Sequence, residues 1–261
     1  MKKNVILFIA LSILSVWAGI FPVSLYFSRY AIGEPTISFY NIFNVLVSAL
    51  ALAGLITTLI LQMEQTRRSH VDSIERSIFE LFNTFTSDSF QKVKDDAFLC
   101  LLVAVRHKPY AEFLASRLFP IGRMAFPPKA QIAYAQIRPE FAEKSEEGMK
   151  DIDRAARLHL DNVLNFFSML AQRQAAHSVI NHVNFAYDWW RPVLWIIAQL
   201  QYEKVLLTPD IKTFCRTPLL CETLKILDKI YNYDAIKPGK EVYAYLRSHP
   251  WLIQEKLDSA Y

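Results

Sequence analysis

Two stretches of this chain contain no charged residue, Asn4 to Ser28 and Pro35 to Met63, while the rest carries charge at ordinary density. A helix rises about 1.5 Å per residue, so the roughly 20 residues needed to cross about 30 Å of hydrocarbon fit inside either stretch. Only Arg29 to Glu34 lies between them, room for little more than a turn joining antiparallel neighbours. The pattern predicts an all-α chain: a transmembrane helical hairpin in residues 1–63, with spans at about 5–27 and 37–62, then a cytosolic helical domain in 64–261. Lys2 and Lys3 precede the first stretch, Arg67 and Arg68 follow the second, and Arg29 is balanced by Glu34 in the link. Positive charge stays on the cytoplasmic side, so a multi-pass protein with both termini cytoplasmic is expected. The rival is a cleaved secretory signal ending near Val16-Trp17-Ala18, but the apolar run continues to Phe27, which suits a span better.

Setting aside Lys2, Lys3, Arg29 and Glu34 from 29 basic and 25 acidic residues leaves 26 against 24 in 64–261. Such a balance is no polyanion-binding signature. Cys100, Cys215 and Cys221 are too scattered for a disulfide framework and lack the histidines of a zinc site, so buried free thiols are expected.

Past the second stretch, Val71, Ile74, Ile78, Leu81, Phe82 and Phe85 continue at steps of three and four, which predicts that the helix runs on. Thr86-Ser87-Asp88 then supplies a break and an N-cap. Residues 119–148, with Pro120, Pro127, Pro128 and Pro139, read as an irregular connection holding one short helix at Lys129 to Ile137. A strong amphipathic helix is expected from Lys150, with Ile152, Ala156, His159, Val163, Phe166, Phe167 and Leu170 on its inner face, and another from Ser178, kinked or restarted at Pro192. Further helices are expected near Pro218 to Tyr231, Lys240 to Arg247 and Pro250 to Asp258.

Catalytic spacings are scarce: there is no glycine-rich phosphate cradle, no His-Glu-x-x-His and no nucleophile elbow. His177 and His182, five apart, sit on different helical faces and make poor joint metal ligands. Asp151, Asp153 and Asp161 with Arg154 and Arg157 read as a solvated helix face, and Trp189, Trp190 and Trp195 as core or interface residues rather than a base-stacking platform. No enzyme, cofactor or small-molecule substrate is indicated. The membrane stretches are more informative. Asn41, Asn44, Ser48, Ala51, Leu55, Thr58 and Gln62 share one helical face, and Ser12, Ser15, Gly19 and Pro22 form a matching stripe on the first stretch. Small and polar residues join helices in lipid, so the stripes pack the hairpin, drive homo-oligomerisation, or line a water-filled path among assembled hairpins. With no charge in either stretch, a proton relay or selective ion transporter is not expected.

At Asp161-Asn162-Val163-Leu164-Asn165-Phe166-Phe167, followed by Tyr187-Asp188-Trp189-Trp190-Arg191-Pro192-Val193, the chain resembles a family of membrane-anchored bacterial phage abortive-infection proteins. Within that group it is similar to the two-transmembrane effectors encoded beside retrons. The resemblance rests on Asn165, Phe166, Phe167, Trp189, Trp190 and Pro192, covers most of the chain loosely, and transfers no catalytic residue. It implies an antiviral defence effector in the bacterial inner membrane. A reverse transcriptase and its RNA–DNA product would hold the effector inactive until infection, and its release would permeabilise the membrane. Two other readings stay open: a passive membrane-anchored scaffold or sensor, and a membrane-tethered enzyme built from scattered residues.

Overall fold

The computed structural model describes residues 35–261 except 118, 120, 121, 184, 209 and 215–218, together with Ser15, Ala18, Gly19, Pro22, Tyr26 and Arg29. Those six are helical; the rest of the first apolar stretch, Ser12 included, lies outside the described residues, as does Cys215. Among the described residues the chain is all-helical, with no strand. It divides into two compact units, residues 1–73 and Ile74–Tyr261.

Helix α1, Pro35–Thr86, is unbroken over 52 residues. Its N-terminal part belongs to the first unit, where none of its most apolar 18-residue window, of mean hydropathy 2.2, is buried, and it is the one helix among the described residues long and apolar enough to cross a membrane. Its last turns belong to the second unit, where Ile78 and Phe85 are buried. α1 stops where Ser87 takes an extended conformation and its hydroxyl accepts from the amide of Phe90, capping α2 (Asp88–Arg106) as the sequence predicts. Asp88 in its first turn and Arg106 in its last complement the helix dipole.

The second unit is built on α2 lying along α5 (Glu146–Gln172), with α3 (Lys108–Arg117) and α7 (Tyr187–Leu207) packed beside them and α4 (Ala130–Ile137) against α2. The short α6 (His177–Ile180) and α8 (Asp210–Phe214) flank α7, and α9 (Leu220–Ile230), α10 (Lys240–Ser248) and α11 (Pro250–Gln254) complete the unit. α7 is apolar and buried continuously from Trp190 to Gln201, so it is the core helix, enclosed on all sides. α1 is as apolar and encloses nothing: Val45, Leu52 and Leu55 are each about 60% exposed. The two apolar helices thus lie in opposite environments.

Two helix starts and one helix end differ from the sequence expectation by four residues or more, α11 stopping at Gln254 rather than Asp258. α5 starts at Glu146 rather than Lys150, because the Ser145 hydroxyl accepts from the amide of Gly148 and Glu146 and Glu147 face the positive end of the helix. α7 starts at Tyr187 rather than Ser178, after Ala186 turns the backbone left-handed at φ 56°. Pro192 is the sixth residue of α7 and lies inside the helix, where its missing amide removes one bond of the ladder.

Candidate functional site

The predicted polar stripe lies on α1, and Asn41, Asn44, Ser48 and Thr58 are all exposed. The hydroxyls of Thr57 and Thr58 donate to the carbonyls of Ala53 and Gly54, each at 2.8 Å. The Thr58 hydroxyl is thus satisfied within its own helix, a common arrangement for threonine where water is scarce. Asn41, Asn44 and Gln62 are left as the residues of this stripe with the larger polar capacity.

The family-like residues divide between core and surface. Phe166 and Phe167 are buried among Phe85, Phe185, Tyr187 and Trp190; Phe85 stacks on Phe166 at 4.9 Å between centroids. Trp190 and Pro192 are buried, and Asn165 is exposed. Trp195 is fully enclosed, whereas Trp189 is 58% exposed and meets Trp251 edge-on. Trp189 and Trp190 border a cleft of about 390 Å³ that also takes in Phe98, Lys94, Asp95 and Arg138. Its walls suit a flat apolar group with a polar edge.

The acidic side chains require a correction. Asp151 is solvated and pairs with Arg154 at 3.1 Å, as a surface face should. Asp153 is instead 1% exposed. Its carboxylate accepts from the Tyr110 hydroxyl at 2.7 Å and from Arg157 Nε at 2.8 Å. Tyr110 has one proton and gives it to Asp153, so the Tyr134 hydroxyl, 2.6 Å away, donates to Tyr110. Cys100 Sγ lies 3.9 Å from the Tyr134 hydroxyl. This network draws α2, α3, α4 and α5 together. Asp153 sits between Met149 and Ala156 on the buried stripe Met149, Asp153, Ala156, Leu160, Val163, Phe167, and a carboxylate in that register is the signal that locates it.

A second network lies outside the sequence expectations. Asp228 on α9 is 1% exposed and accepts from the Tyr187 hydroxyl (2.8 Å), Arg191 Nε and Nη2 (2.8 and 3.1 Å) and Trp195 Nε1 (3.3 Å) on α7. Burial alone would depress Arg191; the bonds and charge of Asp228 outweigh it and hold the guanidinium above its usual value. The guanidinium also stacks over Tyr233 and Tyr245 at 4.5 and 4.8 Å. His177 Nε2 lies 3.1 Å from the carbonyl oxygen of Ala171, while His182 is exposed. Both carboxylates are paired with buried donors and tie helices together.

The buried hydroxyls and thiol make the fold sensitive to alkali. Burial pushes the Cys100 thiol up to about 12, and pushes Tyr110, Tyr134 and Tyr261 well above the ordinary tyrosine range. These groups stay neutral in the fold and ionise near 9.0 and 10.0 once unfolded. Their contribution is therefore complete below about pH 9 and is lost as pH rises through the values of the folded state. The thermal midpoint of the full chain in detergent should be flat to about pH 9 and then fall, with the tyrosinate absorbance of the buried tyrosines appearing together with unfolding. Tyrosinate signal from the whole set at pH 10.5, without loss of structure, would contradict this burial.

No family model, no curated protein and no solved structure matches the chain.

Proposed function

We propose that this protein is a membrane-embedded anti-phage effector, not an enzyme, which perturbs the bacterial inner membrane when partners release it. Its N-terminal residues form a two-span hairpin with both termini cytoplasmic, residues 64–261 form the cytosolic domain, and several copies assemble through the polar stripes. The observation that carries the membrane part is the wholly unburied apolar window of α1, on a helix whose other end is packed into a core. Monomeric soluble proteins rarely expose a contiguous apolar patch beyond a few hundred Å², and lipid is the cover that length and hydropathy fit. The defence role and the restraint by a reverse transcriptase and its RNA–DNA product come from the resemblance at Asn165, Phe166, Phe167, Trp189, Trp190 and Pro192.

The test follows membrane potential by dye in single bacterial cells after induction. The full chain should depolarise cells rapidly, and a chain lacking residues 1–63 should not. Replacing Asn41, Asn44 and Thr58 by leucine should preserve insertion and abolish depolarisation. Because the Thr58 hydroxyl already closes on its own helix, leucine at 58 alone should be nearly silent. Equal depolarisation by the truncated chain would sink the proposal. An inserted triple variant that keeps full activity would remove the stripe from the mechanism and leave the hairpin as an anchor.

A further inference from the structure

Three guanidiniums meet at one small cavity of the second unit. Arg117 lies in the last turn of α3, Arg123 in the segment after it, and Arg157 on α5; together with Leu114, Leu160 and Asp161 they line a pocket of about 200 Å³. Arg117 and Arg157 flank the same ring, their Cζ atoms 4.9 and 5.2 Å from the centroid of Phe113. Arg123 is held by a bond from its Nε to the carbonyl of Phe119 at 3.3 Å. Arg157 is paired with Asp153 at 2.8 Å, whereas no ion pair holds Arg117 or Arg123 among the described residues. Asp153, the buried countercharge, is already committed to Arg157 and Tyr110. Arg117 Nε is shielded from solvent and has no hydrogen-bond partner among the described residues. A buried donor left without a partner is costly, and the neighbouring guanidiniums of Arg123 and the Asp153-paired Arg157 add to that cost beside the single lining carboxylate of Asp161. Burial, then the charges of Arg157 and Arg123, press the Arg117 value down, while desolvation pushes the Asp161 carboxyl up against the pull of Arg157.

We propose that the Arg117–Arg123–Arg157 pocket is a binding site for a phosphate group, either inorganic phosphate or the phosphate of a monoester whose remainder stays outside the mouth. Guanidiniums reaching the pocket from α3, α5 and the intervening segment suit a tetrahedral dianion, which offers acceptors in several directions, better than a flat carboxylate. The volume is below the roughly 300–1,000 Å³ of sites that enclose whole drug-sized ligands, so the pocket fits the phosphate group itself. At about 200 Å³ it is too small to follow an extended nucleic-acid backbone. The proposal is independent of the membrane reading.

The test uses the full chain in phosphatidylcholine nanodiscs and follows its thermal midpoint while inorganic phosphate is titrated against chloride at equal ionic strength. A nucleoside 5′-monophosphate and nanodiscs containing phosphatidic acid form the second and third arms. A saturable rise with phosphate or the monophosphate identifies a soluble ligand; a rise only with phosphatidic acid assigns the same chemistry to a lipid headgroup. Arg117→Gln and Arg123→Gln should each weaken binding by about tenfold or more, the value of one charge-assisted hydrogen bond, whereas Arg154→Gln on the solvated face of α5 should leave it unchanged. Arg123 lies outside the helices, so its variant keeps the test informative if Arg117→Gln folds poorly. An equal rise with chloride, no saturable response in any arm, or unchanged affinity in the Arg123→Gln protein would overturn the assignment.

Discussion

Asp228→Ala should be among the most damaging single substitutions in the helical unit. It removes the acceptor shared by Tyr187, Arg191 and Trp195 and leaves a guanidinium whose side chain is only 8% exposed without a countercharge. Breaking one side of a buried ion pair costs about 3–5 kcal/mol, a large part of the roughly 5–15 kcal/mol that holds a typical domain together. At about 2–4 °C per kcal/mol for a unit of this size, the thermal midpoint should fall by about 6–20 °C. Removing both charges, as Arg191→Met with Asp228→Leu, should restore much of the loss, since neither ion then remains buried alone. Asp188→Ala breaks an exposed bond from the Tyr233 hydroxyl and serves as the control, with an expected change within about 0.5 kcal/mol. A midpoint within a degree or two of the parent for Asp228→Ala would mean that α7 and α9 are not joined by this carboxylate.

The same residues show what the sequence could and could not convey. The helical class, the continuation of α1 beyond the apolar stretch and the stop at Ser87 follow from spacing and one capping residue, which are local properties. Asp153 and Asp228 differ in kind. Each is an ordinary surface-type residue until partners distant in sequence close on it: Tyr110 is 43 residues from Asp153, and Arg191 is 37 from Asp228. Asp153 left a trace, a carboxylate in register with an apolar stripe. Asp228 left a similar trace, in register with Cys221 and Leu224 on the buried side of α9, but in a helix of only 11 residues, where the stripe is short. The start of α7 was hidden for another reason. Ala186 adopts the left-handed region, where glycine or asparagine is the usual marker, so no residue signalled the turn. Within the polar stripe, spacing put Thr58 beside Asn41 and Asn44, but only the bond to Gly54 separates a hydroxyl already satisfied from side chains with more to offer.

Phe167→Ala should be nearly as severe as the loss of Asp228, and it tests what the Asn-Phe-Phe segment does. Phe167 is fully buried and lies within 6.5 Å, centroid to centroid, of Phe85, Phe166, Tyr187 and Trp190. Truncating an enclosed phenylalanine costs about 3–5 kcal/mol, because the lost transfer energy is joined by a cavity that rigid neighbours cannot fill. Asn165→Ala, two residues away on the exposed side, should change stability by no more than about 0.5 kcal/mol. The informative measurement is the cycle with Phe85→Ala. Phe85 belongs to the last turns of α1 and Phe167 to α5, so the two losses should fail to add, with a coupling of about 0.5–3 kcal/mol. Strict additivity would mean that the end of α1 is not seated on α5. Measured coupling would assign Phe167 to holding that end of α1 in the core.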